Sequence, residues 1–332
     1  MSYNSKVVKK VLNDFDNKYK AAAANAEKRK NELYAKIPGL WDTDKKIADT
    51  YKEIAWIMLN SGEEFKSKIG GVKEKNAALR EKRKSLIESA GYNESYMDSV
   101  YECADCEDTG YKGEIMCGCL RKALAAESIE HSGLGRITKN QTFENFDLNY
   151  YEKKKSSAKL EKENPYVHMK GVYEACKSFA ENFGGENSGN LIFMGGTGLG
   201  KTHLSSAIAR EVIKKGCDVY YDSAQSILYS FEKERFSRHG TFDADIIERY
   251  MTCDLLIIDD LGTEYPGNMA VSSLYNLINM RLIDRKSMII STNLSGSEIE
   301  MKYDDRIVSR MFGEFEPLNF TGDDIRLKKV GE

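Results

Sequence analysis

The run Gly195-Gly196-Thr197-Gly198-Leu199-Gly200-Lys201-Thr202 has the residue types and spacing of a phosphate-binding loop, GxxxxGK[ST]. Its glycines let backbone N–H groups close around phosphate oxygens, and a helix starting at its end presents its positive pole to them. Lys201 would reach the β- and γ-phosphates, and Thr202 would hold Mg²⁺ through its hydroxyl. The nucleotide contacts are expected to run from Gly195 through His203. Asp259 ends the most apolar run of the chain, Leu255 to Ile258, where a Mg²⁺-organising carboxylate belongs in a phosphate-loop enzyme. The adjacent Asp260 can orient and deprotonate the attacking water. A lone Asp after a strand is often only a helix cap; a pair in this position, downstream of the loop, points to catalysis. Ser291-Thr292-Asn293 ends another apolar run, and Asn293 can position the water or contact the γ-phosphate, a turn-forming Asn being the plainer alternative. The chain has no Asn-Lys-x-Asp guanine signature, which favours ATP over GTP.

A second group of residues suits a metal. Cys103 and Cys106, then Cys117 and Cys119, supply four thiolates, the number a closed tetrahedral Zn²⁺ site needs. Gly110, Gly113 and Gly118 let the intervening chain turn. An iron–sulfur cluster uses four thiolates as well, free thiols are a further alternative, and His131 is a weaker candidate ligand. A site with all four positions filled folds a domain rather than catalysing a reaction.

These groups need elements to hold them. The runs Leu191 to Met194, Asp218 to Tyr221, Leu255 to Ile258, Met288 to Ile290 and Leu318 to Phe320 read as five strands, with helix-length segments between the first four. Such alternation predicts an α/β fold with a parallel sheet wrapped by helices. Upstream, Val8, Leu12, Phe15 and Tyr19 recur at helical spacing until Pro38-Gly39, and Ile47, Tyr51, Ile54 and Met58 mark a second helix. A third runs from Val72 through Leu79 to Ile87, and the apolar stripes of all three are expected to be core. Leu120 to His131 is helical in pattern, and Tyr150 to Pro165 reads as a polar linker or surface loop.

With 332 residues the chain is long enough for two domains, set at 1–135 and 136–332. The net charge of −3 hides an asymmetry: residues 1–90 hold 20 Lys+Arg against 13 Asp+Glu. A basic amino-terminal third suits nucleic acid or an acidic partner, or is simply a solvated helical surface. No apolar run approaches the ~20 residues of a membrane span. The segment from Lys6 onward has no secretory pattern, and four of the seven cysteines are clustered, so a reducing, cytoplasmic setting with no membrane association is expected.

The order of the phosphate loop, Leu255-Leu-Ile-Ile-Asp-Asp260-Leu-Gly262, Ser291-Thr-Asn293-Leu-Ser295, Asp305-Arg306-Ile-Val-Ser-Arg310 and Gly322-Asp-Asp-Ile-Arg326 resembles the AAA+ ATPases of the DnaC/DnaI replicative helicase loader family. The likeness covers about Thr142 to Arg326. It implies a P-loop AAA+ module in which Asn293 is the first sensor, Arg306 or Arg310 is an arginine finger completing a neighbouring subunit's site, and Arg326 falls at the second sensor position. Self-association through that module follows, because charge developing on the γ-phosphate is stabilised only when the neighbour is docked. Asp260 stands where many AAA+ ATPases have Glu, and its shorter side chain implies slow turnover, with Glu264 a less favoured substitute. The family likeness further implies a single-stranded DNA contact on Ser226 to Gly240, through Lys233, Arg235, Phe236 and Arg238. An ordinary amphipathic helix burying Ile227, Leu228 and Phe231 is the alternative. It also implies a zinc-bearing helical amino-terminal domain that grips a DnaB-type replicative helicase hexamer. The transposition helpers of the IstB type share the same module and are the second reading, and a nucleic-acid-binding adaptor with a vestigial ATPase is the third.

Overall fold

The structure is a computed structural model that describes residues 3–60, 65–134, 140–151, 164–184, 188–236, 244–263 and 268–330. The chain forms two compact units, Leu12–Cys117, and Met1–Val11 together with Gly118–Glu332.

In the first unit three long helices dominate: α1 (Ser5–Lys36, whose first turns belong to the other unit), α2 (Leu40–Asn60) and α3 (Phe65–Ser89). Gly39, at φ 80°, makes the tight turn between α1 and α2 that the Pro38-Gly39 pair foretold. Helices α2 and α3 pair along their length. The seam of α2 buries Leu40, Thr43, Thr50 and Ile57, with Ile47 and Ile54 partly covered. Steps of three and four residues of this kind are those of paired helices in a coiled coil. Two polar layers interrupt it. Asn76 donates to the Thr50 hydroxyl at 2.5 Å, and Arg83 reaches Asp44 at 2.7 Å while Tyr34 donates to the same carboxylate at 2.8 Å. The expectation that the α2 stripe is core holds only in part. Ile54 and Ile47 are half-covered, but Tyr51 and Met58 are exposed, as are Trp56 and Leu59. Positions 51 and 58 lie beside the seam rather than on it, because the buried register runs through 43, 50 and 57.

The larger unit is a five-stranded sheet, all parallel: β3 (Asn190–Met194), β4 (Val219–Ser223), β5 (Leu255–Leu261), β6 (Ser287–Thr292) and β7 (Phe315–Asn319), in the order β4-β5-β6-β3-β7. (β1 and β2, Tyr111–Lys112 and Ile115–Met116, form a small hairpin in the other unit.) Side chains alternate between two apolar layers. Leu191, Phe193, Leu255, Ile257 and Ile289 pack on one face with α4 (Gly118–His131), α5 (Pro165–Asn182) and α6 (Lys201–Lys214). Ile192, Leu256, Ile258, Met288 and Ile290 pack on the other with α7 (Ala224–Phe236), α8 (Ala244–Thr252), α9 (Asn268–Ile283) and α11 (Asp305–Glu314). A strand covered on both faces is apolar in its middle on both sides, which is why Leu255 to Ile258 of β5 and Met288 to Ile290 of β6 stood out in the sequence as unbroken runs.

Four strands lie where the apolar runs placed them. The fifth begins three residues earlier than expected, at Phe315, and includes Glu316 and Pro317. Proline is tolerated there because β7 is an edge strand that, among the described residues, pairs with β3 alone. At the opposite edge, Ser132 accepts a 2.7 Å bond from the Tyr221 N–H, and Gly133, at φ 83°, lies so close that a Cβ would sit 2.2 Å from the Tyr221 carbonyl. The chain leaving α4 therefore covers β4.

One joint is unusual. Arg281 is fully buried and donates to the carbonyls of Tyr250 (2.7 Å), Met251 (3.2 Å), Cys253 (3.0 Å) and Ser287 (2.7 Å). Its guanidinium closes the end of α8 onto the start of β6, where free helix carbonyls need donors. Among the described residues, no helix is long and apolar enough to cross a membrane.

Candidate nucleotide site

Loop geometry follows directly from the glycines. Gly200, at φ 91°, begins α6, and a Cβ there would lie 2.8 Å from the Phe146 ring. Gly198, at φ 72°, would drive a Cβ to 1.8 Å from the Asp324 carboxylate. The left-handed backbone and the close approach together favour glycine at both positions.

The buried Lys201 ammonium donates at 2.7 Å to each of three acceptors: the Gly195 carbonyl, the Gly196 carbonyl and Asn293 Oδ1. Burial pulls it below the usual lysine range, with Asp260 and Asp259 opposing. Thr202 donates its hydroxyl to Asp259 Oδ2 at 3.1 Å. Lys201, Thr202, Asp259 and Asn293, spread over ninety residues of sequence, thus meet at the ends of β3, β5 and β6. Hard oxygen donors, a hydroxyl and a carboxylate side by side, fit Mg²⁺.

Asp259 is buried, and two further groups hold it that the sequence reading did not single out. Tyr221 on β4 donates to Oδ2 at 2.5 Å, and Ser291 on β6 donates to Oδ1. Burial and the Asp259 charge hold the Tyr221 phenol well above its ordinary range. Asp260 is the exposed member of the pair and adopts φ 54°, at a register shift between Ile258 and Leu261 that turns its side chain toward the cleft edge. Partial burial, and then the neighbouring Asp259, push its carboxyl up, against Lys201 and Arg326.

The segment before α5 forms a strap against the loop. Tyr151 is almost fully buried and donates to the Leu199 carbonyl at 2.8 Å, while the Phe146 ring meets the His203 imidazole edge-on at 5.2 Å. His203 Nε2 lies 2.8 Å from the Thr142 carbonyl. The cleft is lined by Gln141, Asn145, Phe146 and Tyr150 of this strap, by Thr197 to His203, and by Asp260, Asn293 and Arg326. Aromatics at 143, 146, 150 and 151 were the available signal for the strap, lost beside the polar stretch that follows.

Arg326 lies on this cleft, in α12 (Ile325–Val330), where Ile325 N–H bonds the Gly198 carbonyl at 3.0 Å. Arg306 and Arg310 stand apart from it on α11. Arg306 is exposed, whereas Arg310 stacks 5.4 Å from the Tyr275 ring centroid and donates to its hydroxyl at 3.4 Å.

On α7, Ile227 and Leu228 are buried and Phe231 is half-buried against Tyr250, so this part of the helix is amphipathic core. Lys233 is on its exposed side. The side chains of Arg235 and Phe236, and the whole of Arg238, lie outside the described residues, as does Glu264.

The sulfurs of the four cysteines lie within 4.8 Å of one another, Cys103 and Cys117 being 3.9 Å apart. Zn–S bonds of about 2.3 Å give a tetrahedral edge of about 3.8 Å, so the set could bind zinc. Glu107 and Asp108 take left-handed backbone after Cys106, and the Asp108 carboxylate accepts the N–H of Glu102 at 2.9 Å and of Cys103 at 2.8 Å, fixing the turn. Cys119 sits in the first turn of α4, where the helix dipole favours a thiolate.

Residues 176–331 match the family model described as IstB-like ATP binding protein. The chain is 24% identical over 212 residues to the replicative helicase loader DnaC of Buchnera aphidicola subsp. Baizongia pistaciae, covering 63% of this chain and 79% of the relative. It is 26% identical over 174 residues to the replicative helicase loader DnaC of Escherichia coli (strain K12), covering 51% and 70%. Among solved structures, a DnaC helicase loader aligns with a TM-score of 0.44 at 21% identity, over 54% of this chain and 98% of that one.

Proposed function

Taking the chain as a DnaC-like AAA+ module related to the IstB-like ATP-binding proteins, as the motif order indicated, we propose that it is an ATP-dependent loader that places a replicative helicase hexamer on single-stranded DNA. The meeting of Lys201, Thr202, Asp259 and Asn293 is the observation that carries the ATPase half of this reading.

When ATP enters, Lys201 exchanges its loop carbonyls for β- and γ-phosphate oxygens, and the amides of Gly196 to Thr202 close on the phosphates. Thr202 and Asp259 would hold Mg²⁺, which would supply neutralisation of phosphate charge when bound. Asp260 takes the proton of the attacking water while Asn293 orients that water and Arg326 faces the phosphates from α12. Arg306 of a neighbouring subunit supplies the finger; its exposure, against the stacking of Arg310 on Tyr275, supports this choice. Hydrolysis therefore waits for assembly, and nucleotide state times release.

The loader half rests on the named relatives. We assign helicase binding to residues 1–135, where the exposed Trp56, Met58 and Leu59 of α2 offer apolar area, and a structural zinc to the four cysteines. Single-stranded DNA is assigned to Lys233, on the exposed side of α7, and to Arg235, Phe236 and Arg238 as the family resemblance implies. The test is co-elution of the purified chain with its host's replicative helicase hexamer, with and without ATP, and with Lys201→Ala. A complex that responds to nucleotide in the unsubstituted chain and not in the variant is expected. No complex under any condition moves the reading to an ATPase partner of a transposase, to be tried on duplex target DNA.

A further inference from the structure

The bonds around the two acidic residues run across three strands. Ser291, fully buried on β6, gives its hydroxyl proton to Asp259 Oδ1 and accepts the Asp260 backbone N–H at 3.0 Å. Tyr221, on the other neighbouring strand β4, gives its phenol proton to Asp259 Oδ2 at 2.5 Å, the oxygen that also receives Thr202. Asp259 is therefore tied to the strand on either side of β5, and Asp260 to β6.

Neither tie belongs to the phosphate-loop pattern, and each is chemically specific. A carboxylate that must present an oxygen to a hard cation has two oxygens and free rotation about χ2; donors on both oxygens remove that freedom. Asp260 sits in left-handed backbone, which a non-glycine residue keeps only where its surroundings hold it. The Ser291 hydroxyl is the acceptor that receives its N–H there. Partners of metal-holding carboxylates typically change metal affinity 10–100-fold when removed.

We infer that Tyr221 and Ser291 are positioning residues that fix the Asp259 carboxylate for Mg²⁺, with Ser291 in addition setting the direction of Asp260. The inference rests on the ATP-site reading above. Both act through Asp259 and touch neither nucleotide nor water themselves.

The test compares the unsubstituted chain, Tyr221→Phe and Ser291→Ala by titrating a fluorescent ATP analogue in EDTA and then at increasing Mg²⁺. In EDTA, where only the loop and Lys201 act, both variants are expected to bind within twofold of the unsubstituted chain. The Mg²⁺ concentration that half-restores full affinity is expected to rise about tenfold or more in each. Thermal melting with and without Mg²⁺-nucleotide gives a second readout, the added stabilisation shrinking in both variants. An unchanged Mg²⁺ dependence in folded protein overturns the inference. So does an affinity loss equal with and without Mg²⁺, since the ties then shape the site in general. If Ser291→Ala misfolds, Tyr221→Phe, which removes one hydroxyl and leaves the ring in place, carries the test alone. Absence of turnover in the unsubstituted chain with Mg²⁺-responsive binding retained would refute hydrolysis and leave this inference standing; absence of nucleotide binding would refute the site reading itself.

Discussion

Asp260 is where chemistry and fold pull against each other. Its carboxyl is pushed up by partial burial and by Asp259, so the folded chain holds that proton more tightly than the unfolded one. Stability contributed by such a group is present below the unfolded pKa and declines as pH rises through the shifted value, leaving the charge as a small burden at neutral pH. Asp260→Asn should therefore keep nucleotide affinity, abolish turnover, and melt at or slightly above the temperature of the unsubstituted chain; calorimetry and a phosphate-release assay check the three together. As a base, Asp260 works only when ionised, so turnover in the unsubstituted chain should fall on acidification from a pH above the ordinary carboxylate range of about 4. A rate flat down to pH 4 would remove Asp260 from that role. At this scale the sequence was readable where a pattern ties residue type to spacing, as in the loop, and where a polar residue closes an apolar run, as with Asp259 and Asn293. Tyr221 was not readable. Its contact with Asp259 depends on β4 and β5 being neighbours, which no spacing encodes.

Elements were legible to the extent that their apolar periodicity was complete. Strands β5 and β6, buried on both faces, announce themselves, whereas β7 hides behind Glu316 and Pro317 because only its edge position makes them tolerable. In the helical hairpin, the apolar residues at 51 and 58 misled because the buried register runs through Thr43 and Thr50, polar residues that satisfy themselves on Gly39 and Ile47 carbonyls. The polar layers add to the pairing of the apolar seam. Asp44→Ala removes the acceptor of both Arg83 and Tyr34 and should cost the hairpin about 1–2 kcal/mol, read by denaturant unfolding, with the Arg83–Glu94 contact at 3.3 Å offsetting a part. The cysteine segment makes its own prediction. Removing metal with a strong chelator should destabilise this segment and release one equivalent of zinc with four titratable thiols, while ATP-analogue binding persists. Metal release without any change in stability would show the thiols to be incidental.

At the scale of the whole molecule the expected behaviour is cooperation between copies. Arg306→Ala leaves its own loop intact and Lys201→Ala leaves its own finger intact, so a mixture of the two should recover turnover that neither shows alone. A drop of about 10³-fold for Arg306→Ala by itself, with nucleotide affinity unchanged, is the scale such fingers command. Failure of the mixture to recover, with assembly verified, would locate the finger at Arg310 or nowhere on α11. A different consequence follows from Arg281. Its two terminal nitrogens are spent on main-chain carbonyls, groups that neither gain nor lose protons in water, and on the Cys253 sulfur. A single substitution at Arg281 would therefore withdraw a donor from four main-chain carbonyls at once, and with it the tie between the end of α8 and the start of β6.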